Sequence, residues 1–184
     1  MKSRIEQTGV TLIELLMVIS IAVILTAIGV PSYRYVTTSN RIAGEINGLL
    51  GDIQFARYEA LKEGLSVTIC PTASSTATTC DGSTTWGNGW IVLSNAADTG
   101  GTSAVLRRQL PFSSFNSSDT LTSTAGVTSV IFNREGFATL TGTAMFSLHN
   151  PAGLSGFTRC LMVNAAGAVM TTTAGNAAYS VTCS

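Results

Sequence analysis

The sequence predicts an α+β chain in which one long N-terminal helix is followed by an antiparallel, β-rich head. Three observations carry this. Residues 10–30 are an almost unbroken apolar run, and apolar residues then recur at spacings of three and four up to residue 63. From residue 65 the period changes to two, with Gly-, Asn- and Asp-containing turns between short segments. Charged residues make up only 11% of the 184-residue chain, against roughly 25% in an average soluble protein. The expected organisation is a leader at 1–9, an apolar helix at 10–30, an amphipathic helical half at 31–63 and a β-rich head at 64–184.

Val10 to Val30 is a run of 21 residues whose only charge is Glu14. As a helix it is about 31 Å long, the thickness of a hydrocarbon core. Lys2 and Arg4 precede it, which predicts a cytoplasmic N-terminus and an exported head. A secretory signal has a shorter apolar region and a small-residue cleavage site after it. Here the candidate processing residue, Gly9, lies before the apolar run, so cleavage there would leave the helix on the mature chain. A carboxylate inside a membrane helix costs about 2.5–3.5 kcal/mol, so Glu14 calls for a partner.

After Pro31 the pattern becomes amphipathic. Ile42, Ile46, Leu49, Leu50, Ile53, Ala56, Ala60 and Leu61 form a stripe, and Arg41, Glu45, Asp52, Glu59 and Glu63 fall mostly off it. Arg41 and Glu45 make an i, i+4 pair. Gly44, Gly48 and Gly51 each cost about 0.8–1 kcal/mol of helix propensity and would allow a sheet or a second helix to come close. Gly64 is a C-terminal stop. The helix is expected from about 11 to 63, kinked or locally melted at Gly29–Pro31.

Strands are expected at 65–70, 89–95, 104–110, 127–133, 143–150, 158–164 and 168–172. Asp81-Gly82, Gly87-Asn88-Gly89, Thr99-Gly100-Gly101, Glu135-Gly136, Asn150-Pro151 and Ala166-Gly167 supply turns. Short strands after one helix predict an antiparallel sandwich or folded sheet packed on that helix. Trp86 and Trp90, on either side of the Gly-Asn-Gly turn, are expected in the core rather than as a stacking platform.

The four cysteines are Cys70, Cys80, Cys160 and Cys183. An even number in an exported chain reads as two disulfides with three connectivities. Cys70–Cys80 with Cys160–Cys183 is preferred because each pair brackets a short segment, though sequence alone leaves the connectivity open. The spacings are wide for zinc, and His149 is the only histidine, so no metal is expected.

Nothing in the chain has the pattern of an enzyme. There is no Gly-x-Ser-x-Gly elbow, phosphate loop or dinucleotide fingerprint. The acids beyond the helix, Asp81, Asp98, Asp119 and Glu135, are scattered in turn-like contexts. No catalytic residue and no cofactor is expected.

The stretch Gly9-Val-Thr-Leu-Ile-Glu14-Leu-Leu, the apolar span and Pro31 at its end resemble the class III leader of type IV pilins and type II secretion pseudopilins. The resemblance implies cleavage by a prepilin peptidase between Gly9 and Val10, and methylation of the new N-terminus at Val10. It makes Glu14 the fifth-residue glutamate of the mature chain, an assembly residue attracted to the α-amino group of a neighbouring subunit. It makes Pro31 the proline that interrupts the first helix. Val10 departs from the usual phenylalanine. Further along, "IQFARYEALKEG", "VTIC", "WGNGWIVL" and "VIFNREG" resemble minor pilins of the GspH/FimT/FimU family, closely to about residue 95 and more loosely beyond.

The family resemblance implies a pilin fold and a structural role, with no enzyme activity. The partners would be other minor pilins and the major pilin, or pseudopilins in a secretion system, together with the prepilin peptidase and the inner membrane. The chain would wait in that membrane with its head in the periplasm and later enter the filament. Some FimT-like relatives bind DNA through Gly-Arg-x-Arg after an Arg-Cys strand. Here the strand "TRCLMVN" is followed by Gly167-Ala-Val-Met170, so both arginines are replaced. Beyond residue 64 only Arg107, Arg108, Arg134 and Arg159 are basic, matched by four acids. Phosphate binding needs accumulated Lys and Arg charge, so DNA is not the expected partner.

Overall fold

A computed structural model describes residues 9–95, 103–115, 117–124, 126–140, 142–151, 155–175, 177–178 and 181–183. The expected leader ahead of Gly9, together with Asp98 and the expected turn at residues 99–101, lies outside them. The chain divides into two compact units, Met1–Ser39 and Asn40–Ser184.

Among the described residues one α-helix, α1, runs from Leu12 to Glu63 and contributes to both units. Within the first unit every described side chain up to Thr37 is exposed. Residues 29–31 are helical, so the melted turn expected at Gly29–Pro31 is absent. Pro31 has no N–H to give the Ala27 carbonyl, yet helical backbone continues on both sides of it. By length and composition the apolar half is able to cross a membrane.

In the second unit α1 buries Ile42, Ile46, Leu49, Ile53, Ala56 and Ala60, an alternation of four and three that keeps one narrow stripe facing inward. Leu61 was expected on that stripe but is 51% exposed, and Leu50 is only partly buried. The three glycines were expected to admit a close neighbour. An added Cβ at Gly44, Gly48 or Gly51 would meet nothing within 4 Å, and Gly44 and Gly48 line an open cavity beside Trp90, Gln109 and Phe112. Gly64 ends the helix with φ +67° and donates its N–H to the Ala60 carbonyl.

Ten strands follow. One antiparallel sheet has the order β3 (Val105–Gln109), β2 (Trp90–Ser94), β1 (Val67–Pro71), β5 (Val130–Phe132). The other has the order β4 (Thr120–Ser123), β6 (Ala144–His149), β7 (Arg159–Val163), β8 (Val169–Thr173). A short pair, β9 (Ala177–Ala178) and β10 (Val181–Thr182), completes the set. All seven expected strands are present. β4, β9 and β10 were not foreseen, and the expected strand at 127–133 shrinks to three residues because Val127 N–H closes a turn on the Thr124 carbonyl.

Alternate residues of the two sheets enter one core with the helical stripe. Val67, Ile69, Trp90, Val92, Val130 and Phe132 come from the first sheet, and Leu121, Phe146, Leu148, Leu161 and Val163 from the second. Trp86 and Trp90 lie at the centre, at 0% and 1% exposure, edge-on to Phe146 and Phe112. The opposite faces carry two smaller clusters: Cys70, Ile91 and Leu93 on the first sheet, Met145, Cys160, Met162 and Cys183 on the second.

Candidate functional site

Gly9 and Val10 are exposed ahead of the helix. Thr11 caps it, its Oγ1 accepting the Glu14 backbone N–H at 3.3 Å. Thr11-Leu-Ile-Glu14 therefore has the order of a capping box, with an acid at the third helical position. The helix dipole favours a negative charge in this first turn. These residues carry a capping signal in addition to the apolar context from which an intermolecular partner for Glu14 is expected. Deeper in the span, the Ser20 hydroxyl donates to the Met17 carbonyl, and Thr26 donates to those of Ala22 and Val23. These polar groups are satisfied within the helix, as an apolar surround requires. Pro31 follows on the same continuous helix.

Cys70 is bonded to Cys80 and Cys160 to Cys183, with Cα separations of 5.6 and 5.8 Å. Cys70, Cys160 and Cys183 are buried, whereas Cys80 is exposed in the loop "PTASSTATT" that the first bridge closes. The structure thus brings the cysteines together in pairs, far along the chain from Gly9, Val10, Glu14 and Pro31.

Three polar ties between helix and head escaped the sequence reading. Asp52, on the edge of the apolar stripe, is 6% exposed. It accepts the Trp90 indole N–H at 2.8 Å and faces the Arg107 guanidinium at 3.1 Å, which also lies 5.1 Å above the Phe55 ring. Arg41 donates to both oxygens of Asp119 at 2.8 and 2.9 Å. The expected Arg41–Glu45 ion pair is also present, at 3.9 Å, but the bidentate pair with Asp119 is the closer one. Asp119 is therefore not a turn residue in solvent, since its side chain is fully buried. Glu45 is left beside it, and burial pushes its carboxyl up to about 7.

The third tie is Arg57. Its guanidinium donates to the carbonyls of Gly136, Gly167 and Ala166 at 3.0, 3.0 and 3.3 Å. Two surface turns are thereby fixed to one helical residue. Gly167 adopts φ +73°, and a Cβ there would collide with the Gly136 carbonyl and the guanidinium, so the turn takes only glycine.

This turn holds the Gly-Ala-Val-Met stretch compared above with a DNA-binding motif. Its one guanidinium, from Arg57, points into carbonyls. Three of the other head arginines are also engaged: Arg107 with Asp52, Arg134 with Glu135, and Arg159 with the Gly156 and Thr158 carbonyls, whereas the Arg108 Nη1 is buried without a hydrogen-bond partner among the described residues. His149 Nδ1 lies 3.4 Å from the Thr158 hydroxyl. Among the described residues no three His, Cys, Asp or Glu side chains cluster as a metal site would.

A search of curated proteins finds no match. Among solved structures, the type IV minor pilin FimU of Pseudomonas aeruginosa is similar in two crystal forms. One is 21% identical over 71% of this chain and 87% of that one, with a TM-score of 0.57. The other is 22% identical over 72% and 91%, with a TM-score of 0.52. At this identity the likeness speaks for the fold, a long helix on antiparallel sheets. The family described as type II transport protein GspH matches residues 45–167, about two thirds of the chain. On that match the chain belongs to the GspH family, whose members are structural subunits and not enzymes.

Proposed function

We propose that this chain is a minor type IV pilin, a structural subunit that helps prime pilus assembly and sits in or near the pilus tip. It is held in the inner membrane by Val10–Val30 with its head in the periplasm until it joins other pilins. The observation that carries this is the first unit: an apolar helix exposed on every side cannot stay in water and has a use only in lipid or in a filament. Both similar solved structures are of a type IV minor pilin, FimU, and their fold agrees with this reading. Removal of the leader after Gly9 by a prepilin peptidase, and methylation at Val10, fit the exposed position of both residues ahead of the helix cap. Glu14, in the first helical turn, is then four residues from the new N-terminus, where a neighbour's α-amino group can reach it.

The rival reading is a minor pseudopilin of type II secretion, favoured by the description of the matching family. Deletion of the gene separates the two. Loss of surface pili with normal protein secretion is the expected result. Loss of secretion with pili intact would assign the chain to the secretion machinery instead.

A further inference from the structure

Immediately beyond the apolar run lie Tyr33, Arg34 and Tyr35. Tyr33 is 72% and Tyr35 61% exposed, and Arg34 is exposed between them. Successive helical residues are rotated by about 100°, so the three side chains point to three sides of the helix. A surface made to dock on one partner would collect its aromatic residues on one stripe. A ring of Tyr and Arg around a helix is what a bilayer interface selects, because each side chain has an apolar body and a polar tip. The spacing agrees. From Leu12 the helix rises about 32 Å to Tyr33, whereas a hydrocarbon core is about 30 Å thick and the headgroup layer extends several ångströms further.

The same ring borders a shallow groove lined by Leu25, Thr26, Gly29, Val30, Tyr33 and Arg34. A Cβ added at Gly29 would meet nothing within 4 Å. The groove runs from the apolar span to the Arg34 guanidinium. It therefore offers an apolar bed to an acyl chain and a cation to the phosphate above it.

We propose that Tyr33, Arg34 and Tyr35 form an interfacial collar that binds the phospholipid headgroup zone at the outer edge of the span and sets the depth at which the waiting subunit rests. Without it the helix offers the interface no charged or aromatic side chain before Arg41, since Ser32, Val36, Thr37, Thr38, Ser39 and Asn40 are neither. This rests on the membrane-anchored reading above and adds to it a defined register.

The test uses the full chain with Tyr33→Trp in phosphatidylcholine–phosphatidylglycerol vesicles. The lipids are brominated either near the carbonyls or near the acyl-chain ends. Trp86 and Trp90 are buried in the head and out of reach of the bromines, so wild-type chain supplies the background. The new indole is expected to be quenched more by the shallow bromines. Adding Arg34→Leu and Tyr35→Leu should let the helix slide, so that the deep bromines quench more. Equal quenching at both depths in the single variant, deeper quenching in that variant, or an unchanged depth in the triple variant would each overturn the collar. Co-flotation of the chain with vesicles is read separately: a chain that fails to float refutes the membrane reading itself, and the collar with it.

Discussion

Glu45 lies on the helix beside two charged groups that are already committed to each other. Arg41 directs its Nε–H and an Nη2–H to Asp119, so Glu45 has a cation only at 3.9 Å, a nearby anion and little water. Desolvation is the largest cause of its raised carboxyl; the Ser117 hydroxyl opposes it, and the Asp119 charge reinforces it. The sign of the pH effect follows. Between an ordinary value near 4.5 and the folded value near 7, the folded chain keeps a proton that the unfolded chain has released. This contribution is full below pH 4.5, is lost as pH rises to 7, and is level above that. Glu45→Gln should flatten the slope in this window and raise stability above pH 7 by about 1 kcal/mol, a figure discounted for the partial solvent contact of the carboxyl. Urea unfolding of wild type and variant across that range would check it. An unchanged slope would show that Glu45 is ordinary.

The helix shows at element scale which sequence signals carry structure. The apolar stripe was readable because it obeys a geometric period, and the strand segments because they alternate. β4 was not, since "TLTS" has one buried apolar residue, Leu121, amid hydroxyls. Its pairing with β6 is fixed by tertiary contact rather than by local pattern. Asp52, Arg57 and Asp119 were missed for a related reason: a charge is read as solvated until its partner, 38, 79 or 78 residues away, is brought to it. The N-terminal signals differ, because the Thr11 cap and the apolar run after it are local and contiguous and so stand plainly in the sequence. Gly44, Gly48 and Gly51 belong to this scale too. With open space around each, replacement by Ala should stabilise the subunit by about 0.5–1 kcal/mol per site, through helix propensity alone. Thermal unfolding of the single and triple variants in detergent would measure this, and a loss of stability would mean that the glycines meet something in the folded chain.

For the whole molecule, each sheet has one face in the common core and another that carries a small cluster built around a disulfide. The bridges fasten peripheral segments over those outer faces: the polar loop before Cys80, and the C-terminal segment ending at Cys183. Removing Cys160–Cys183 by paired Ala substitution should cost about 3 kcal/mol, and removing Cys70–Cys80 somewhat less, because their sequence separations are 23 and 10. Denaturant melts of each variant test the order. A reversed order would mean that burial of Met145 and Met162 matters less than the loop held by Cys80.

The Arg57 clamp gives that architecture a mechanical property. One side chain holds the turns at Gly136 and Ala166–Gly167 from a helical position, so both are geared to the rotation of the helix about its own axis. A twist of a few degrees there must either break three hydrogen bonds together or swing both turns in concert. The outer contour of the head at those turns is thus a dial, driven from the helix that carries it.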